Sequence, residues 1–98
     1  MPKEKIRERS MSKVKIPKKY KVLMYNDDFT TMDFVVEILI QIFNKTKEEA
    51  VQLMLQIDKS TYAVVGIYTR DIARTKASLA TEWARREGFP LKVEAVEE

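Results

Sequence analysis

The chain contains no cysteine and no histidine. The first absence removes disulfide frameworks, thiolate-ligated zinc, iron–sulfur clusters and thiol nucleophiles, and it agrees with a reducing compartment. The second removes imidazole, the usual neutral-pH general base and the commonest transition-metal ligand, so neither Ser-His nor Cys-His catalysis can be assembled within this chain. Only two glycines and three prolines are present, which argues against collagen-like or low-complexity character. A length of 98 residues allows one hydrophobic core of modest depth and excludes a separate cofactor domain. Neither an enzyme nor a bound cofactor or metal is therefore expected.

What is present is unevenly distributed. Residues 1–19 carry eight Lys and Arg against Glu4 and Glu8, a balance of +6, whereas the remainder sums to −3 although the whole chain is +3. No long apolar run follows the basic stretch, so it reads as neither a signal peptide nor a transmembrane segment, and the protein is expected to be cytoplasmic, without membrane contact. Residues 1–17 hold only scattered apolar side chains, too few to offset the entropy of ordering, and are expected to form a flexible basic arm ahead of a core domain at 18–98.

Beyond Pro17, Tyr20–Tyr25 is rich in β-branched and aromatic residues and predicts a strand, with Val22 and Met24 facing one way and Leu23 and Tyr25 the other. Asn26-Asp27-Asp28 forms a turn, and Thr30-Thr31 caps a helix predicted over Met32–Phe43 that is apolar around nearly its whole circumference. Such a helix is either sandwiched or lines a pocket. Thr46-Lys-Glu-Glu49 is a capping box that opens a helix over Lys47–Ile57, with Ala50, Leu53, Met54 and Ile57 inward. Tyr62–Tyr68 predicts a second strand in which Gly66 marks a close approach or a bulge. The third helix starts after Thr69, places Ile72, Leu79, Ala80 and Trp83 on one face, and stops at Gly88 and Pro90. Leu91–Val96 is the third strand. The order β-α-α-β-α-β predicts an α+β domain, a three-stranded antiparallel sheet packed on three helices.

Asn26, Asp27 and Asp28 stand beside apolar Phe29, Met32 and Val35, which places acceptors for a cation next to an apolar surface. A peptide N-terminus fits that description, because its ammonium has three N–H donors and its first side chain, if large and apolar, would take the adjacent hole. The same residues also read simply as a turn with helix-capping acids, and spacing alone leaves both readings open. Two adjacent carboxylates offer too few converging oxygens for calcium.

The run Tyr20-Lys-Val-Leu-Met-Tyr-Asn-Asp-Asp-Phe-Thr-Thr-Met-Asp-Phe-Val-Val36, followed by Ala50–Leu55, by Gly66-Ile-Tyr-Thr69 and by Thr75-Lys76, resembles the ClpS family of bacterial Clp protease adaptors over about residues 18–96. The resemblance implies a non-enzymatic, monomeric adaptor. Such a protein captures N-degron substrates whose first residue is Leu, Phe, Tyr or Trp, and hands them to the N-domain of the AAA+ unfoldase ClpA or ClpC for degradation by ClpP. It further implies that Asn26 and Asp27 hold the α-amino group, that Asp28 and Thr30 frame the loop and the first peptide group, and that Met32 gates the pocket. Val35, Met54, Ile57 and Leu91 match the pocket lining, and Asp71 and Lys76 match the unfoldase-docking surface on the solvent face of the third helix.

Two positions depart from the family pattern. Asp58 stands where His is usual beside the α-amino group, and its carboxylate can still accept from an ammonium while repelling Asp27 in the empty pocket. Thr31 replaces a common Pro and still serves as a cap. Other classes remain. The basic arm alone would suit nucleic-acid phosphates, although the acidic core opposes a polyanion and no aromatic platform is evident. The element order also resembles a ribosomal stalk-protein domain, which would make the chain a ribosome-associated interaction module.

Overall fold

The computed structural model describes residues 16–98, and the predicted basic arm lies outside them except for Ile16 and Pro17. Six elements follow in the expected order: β1 (Lys19–Tyr25), α1 (Met32–Gln41), α2 (Lys47–Lys59), β2 (Tyr62–Thr69), α3 (Arg70–Arg86) and β3 (Val93–Glu97). The strands form one antiparallel sheet in the order β2-β1-β3. Helix α3 packs on all three strands, α2 packs on β2, and α1 packs on α2.

Period-two alternation decides the face of β1. Val22 and Met24 are fully buried under the helices, while Leu23 points to the other face and is covered there between its cross-strand partners Val64 and Glu94. The ladder to β2 slips between Val22 and Leu23, which pair with Gly66 and Val64, so Val65 is the extra residue of a bulge. Gly66 is needed twice. It takes part in the bulge, and the Tyr68 ring lies over it where a β-carbon would stand.

The helix ends follow their caps. Thr31 Oγ1 accepts from the Phe34 amide at 3.2 Å, and the Thr46–Glu49 capping box closes in both directions, at 3.1 and 2.9 Å. Gly88, with φ of 81°, ends α3, and the amides of Gly88 and Phe89 donate to the carbonyls of Arg85 and Ala84 in a Schellman arrangement.

The buried stripe of α3 differs from the sequence expectation. Ala73, Ala77, Ala80 and Ala84 face the sheet, whereas Ile72 and Leu79 are each 49% exposed. Alanines at this spacing form one helical face, and their lack of bulk lets the helix backbone approach three strands at once. Trp83 is half-buried, its ring edge-on to Phe34 at 5.4 Å, and Phe89 packs on the same Phe34 at 4.9 Å. Helix α1 meets both sequence expectations. Phe34, Val35, Ile38 and Leu39 are buried in the core, and its first turn borders a cavity.

Placing a methyl group at Gly66 displaces the Tyr68 ring from the half-buried position it now occupies. Gly66→Ala is expected to cost about 1–3 kcal/mol, the usual range for overpacking, measured by urea or thermal unfolding. An unchanged midpoint would show that the ring moves aside freely.

Candidate functional site

The C-terminal end of β1, the start of α1 and the end of α2 meet around a cavity of about 280 Å³ lined by Asn26, Asp27, Asp28, Thr30, Met32, Val35, Met54, Ile57 and Asp58. Ile57 and Val35 are nearly buried and form an apolar interior with half-buried Met54, while Met32 is half exposed. The polar residues all come from the 26–30 loop and from Asp58, so the cavity has an apolar side and an acceptor-rich side.

The loop is organised by Asp27. Its Oδ1 accepts from the amides of Phe29 at 2.8 Å and Thr30 at 2.7 Å, and its Oδ2 accepts from the Thr30 hydroxyl at 2.7 Å. This is the turn chemistry that Asp favours, here made three times by one carboxylate. Partial burial alone would raise the Asp27 carboxyl, but the hydrogen bonds from Thr30 and Phe29, with a smaller contribution from the Arg85 charge, outweigh it and hold the group below the usual carboxylate range. A depressed carboxyl stabilises the loop above its ordinary value of 3.8, and that contribution is lost only as pH falls through the lower folded value. The loop therefore keeps its charge and its shape throughout the neutral range.

Asn26 ties the loop to α2. Its backbone amide donates to the Thr61 carbonyl at 2.9 Å, and its side-chain amide donates to the Asp58 carbonyl at 3.5 Å. With the NH₂ group turned toward Asp58, the Asn26 Oδ1 remains an acceptor. One of the roughly four lone-pair positions on Asp27 is likewise left over once three donors are bound. A group with several N–H donors and a positive charge is the chemical complement of this side of the cavity, and an apolar side chain is the complement of the other.

Nine of the residues singled out from the sequence thus border one cavity. Leu91 does not: it is 1% exposed inside the core, in the turn that Arg85 fastens by donating to the carbonyls of Phe89 and Leu91, each at 2.9 Å. Of the two residues assigned to framing, Thr30 shares the loop's hydrogen bonds with Asp27, and Asp28 borders the cavity. Among the described residues, no further residue borders the cavity. What the sequence did not reveal is that Asp27 is already engaged by its neighbours and that Asn26 reaches the end of α2, a contact 32 positions away in the chain.

The two residues on α3 separate. Asp71 is exposed, its carboxylate 3.6 Å from the Arg70 guanidinium. Lys76 is not on a free solvent face as its spacing implied. Half-buried, its ammonium donates to the Ile42 carbonyl just beyond α1 and to Asn44 Oδ1 at 3.0 Å, and it lies 5.3 Å from the Tyr68 ring centre. A cation at a helix C-terminus is favourable, and here it binds α1 to α3.

Among the described residues, no helix is long and apolar enough to cross a membrane. The family of the ATP-dependent Clp protease adaptor protein ClpS matches residues 15–94. Curated relatives include the ATP-dependent Clp protease adapter protein ClpS of Acetivibrio thermocellus, 53% identical over 79% of this chain and 78% of that protein. The protein of the same name from Nitratidesulfovibrio vulgaris is 47% identical over 81% of this chain and 76% of its own length. A solved structure, Agrobacterium tumefaciens ClpS2 bound to L-phenylalaninamide, superposes with a TM-score of 0.82 at 37% identity, covering 85% of this chain and all of that one.

Lys76→Met keeps the aliphatic stem and removes the ammonium. It leaves the Ile42 carbonyl without its charged partner and is expected to lower stability by about 1–3 kcal/mol, read from chemical denaturation. A variant as stable as the parent would mean that water replaces the ammonium at no cost.

Proposed function

The chain belongs to the ClpS family of Clp protease adaptors, and from that premise we propose that its cavity captures the N-terminal residue of degradation substrates. The α-amino group sits against Asn26 Oδ1, the remaining lone pair of Asp27 and the Asp58 carboxylate, while a first side chain of Leu, Phe, Tyr or Trp fills the space between Val35, Met54 and Ile57. Met32, half exposed at the mouth, limits which side chains enter. Leu91 belongs to the same buried core as Val35 and Ile57.

One observation carries this reading: a single cavity joins an acceptor-rich wall to an apolar wall, with the acceptors held in place before any ligand arrives. L-Phenylalaninamide, the ligand of the Agrobacterium relative, has the two matching features, a free α-amino group and an aromatic side chain. Preorganisation matters because the loop's ordering entropy is met during folding rather than on binding. Asp58 brings a second carboxylate to the amine's side of the cavity. The chain has no imidazole, so nothing in it alters charge near pH 6.5 through a histidine.

Delivery belongs to the same proposal. The adaptor passes its cargo to a ClpA or ClpC N-domain, docking through the exposed start of α3 at Asp71. Lys76 contributes there only with the donor left after Ile42 and Asn44 have taken theirs. The basic residues 1–17 engage the unfoldase during handover, in the cytoplasm, with neither nucleic acid nor membrane as partner. The domain itself acts as a monomer and does no chemistry.

Short peptides that differ only in the first residue, each with a free and an acetylated terminus, test the capture step. Charge-assisted hydrogen bonds contribute about 1.5–3 kcal/mol each, so acetylation is expected to weaken a Leu- or Phe-initiated peptide by tenfold or more. Asp58→Asn is expected to cost about 1 kcal/mol with the free terminus and nothing with the acetylated one. Equal binding of the two termini would overturn the proposal.

A further inference from the structure

Phe29 stands in sequence between two residues that border the cavity, Asp28 and Thr30, yet its own side chain lies outside it and is 74% exposed. It is not on a loose loop tip. Its amide donates to Asp27 Oδ1 at 2.8 Å, and the following residue is fixed to the same carboxylate through both its amide and its hydroxyl. Three positions further on, Met32 is half exposed and borders the cavity as well. Two large apolar side chains three residues apart are thus exposed on the segment that borders the cavity. A single exposed apolar residue is ordinary, but two on a hydrogen-bonded segment that borders a pocket offer a surface for a ligand.

We propose that Phe29 and Met32 form an apolar lip, a second subsite that takes an aromatic or large aliphatic side chain directly behind the captured terminus. This rests on the reading of the cavity as a pocket for the first residue. With the ammonium among Asn26, Asp27 and Asp58 and the first side chain inside, the rest of the peptide leaves through the mouth. An extended chain advances about 3.3 Å per residue, so the second and third side chains remain within about 7 Å of the first. A ring at the mouth is within reach of at least one of them.

Leucinamide and the peptides Leu-Gly-Gly-Ser, Leu-Phe-Gly-Ser and Leu-Gly-Phe-Ser, all with free N-termini and amidated C-termini, separate the lip from the pocket when titrated into the parent and into Phe29→Ala. The parent is expected to bind at least one Phe-containing peptide about two- to tenfold more tightly than the Gly peptide, the range of an aromatic pair. Phe29→Ala is expected to abolish that gain and to bind leucinamide as the parent does. A gain that survives in Phe29→Ala, or no gain in the parent, overturns the lip. So does an equal loss for leucinamide and the peptides, because Phe29 would then be shaping the pocket. A parent that fails to bind leucinamide overturns the pocket reading itself and the lip with it, an outcome distinct from the others because it appears without any substitution.

Discussion

One carboxylate organises the mouth of the cavity. Asp27 collects the Phe29 amide, the Thr30 amide and the Thr30 hydroxyl, and these three bonds fix the six-residue connection between a strand and a helix. A loop that short could adopt other turns. This geometry is selected because it satisfies backbone donors that would otherwise compete for water. The same bonds keep Asp27 ionised despite its partial burial. One group therefore supplies both the shape of the site and part of its negative charge, and the two properties cannot be changed independently.

The rest of the fold sets the distance between the loop and its partners. The loop leaves β1, the central strand, whose inward residues Val22 and Met24 are fully buried. An alanine face on α3 allows close packing on all three strands, and the bulge at Val65 with Gly66 accommodates the Tyr68 ring on the inner side. Asn26 then reaches the Thr61 carbonyl just before β2 and the Asp58 carbonyl at the end of α2. Lys76 fastens the far end of α1 to α3, so α1 is held at both termini while its first turn faces the cavity. The apolar wall and the acceptor wall are contributed by elements that are distant in sequence and rigidly joined in space.

Local signals were legible in the sequence wherever local chemistry decides structure. The alternation in β1, the Thr31 and Thr46 caps, the Gly88 stop and the Asn-Asp-Asp turn all depend on neighbours within a few positions, and the three helices, three strands and their order followed from them. The cavity-lining residues were legible through family resemblance more than through periodicity, since a stripe such as Met54 and Ile57 reads equally well as core. Three features were hidden because they are tertiary. Size favours Ile72 and Leu79 as the buried face of α3, yet close approach to the sheet favours alanine. Lys76 looks solvated until α1 is brought beside it. Leu91, placed at the pocket by resemblance, is buried in the core in the turn that Arg85 fastens, and it is absent from the cavity lining.

The central claim is that a preformed loop and the ends of α1 and α2 receive a peptide terminus. Amide chemical shifts recorded while leucinamide is titrated into the ¹⁵N-labelled protein test it most directly. The account predicts that shifts concentrate at residues 26–32 and 54–58, while the sheet amides of β3 and the first turn of α3 stay in place, because the site is already in its bound shape. Shifts centred on Asp71, on the outer sheet face, or spread across the whole domain would contradict it.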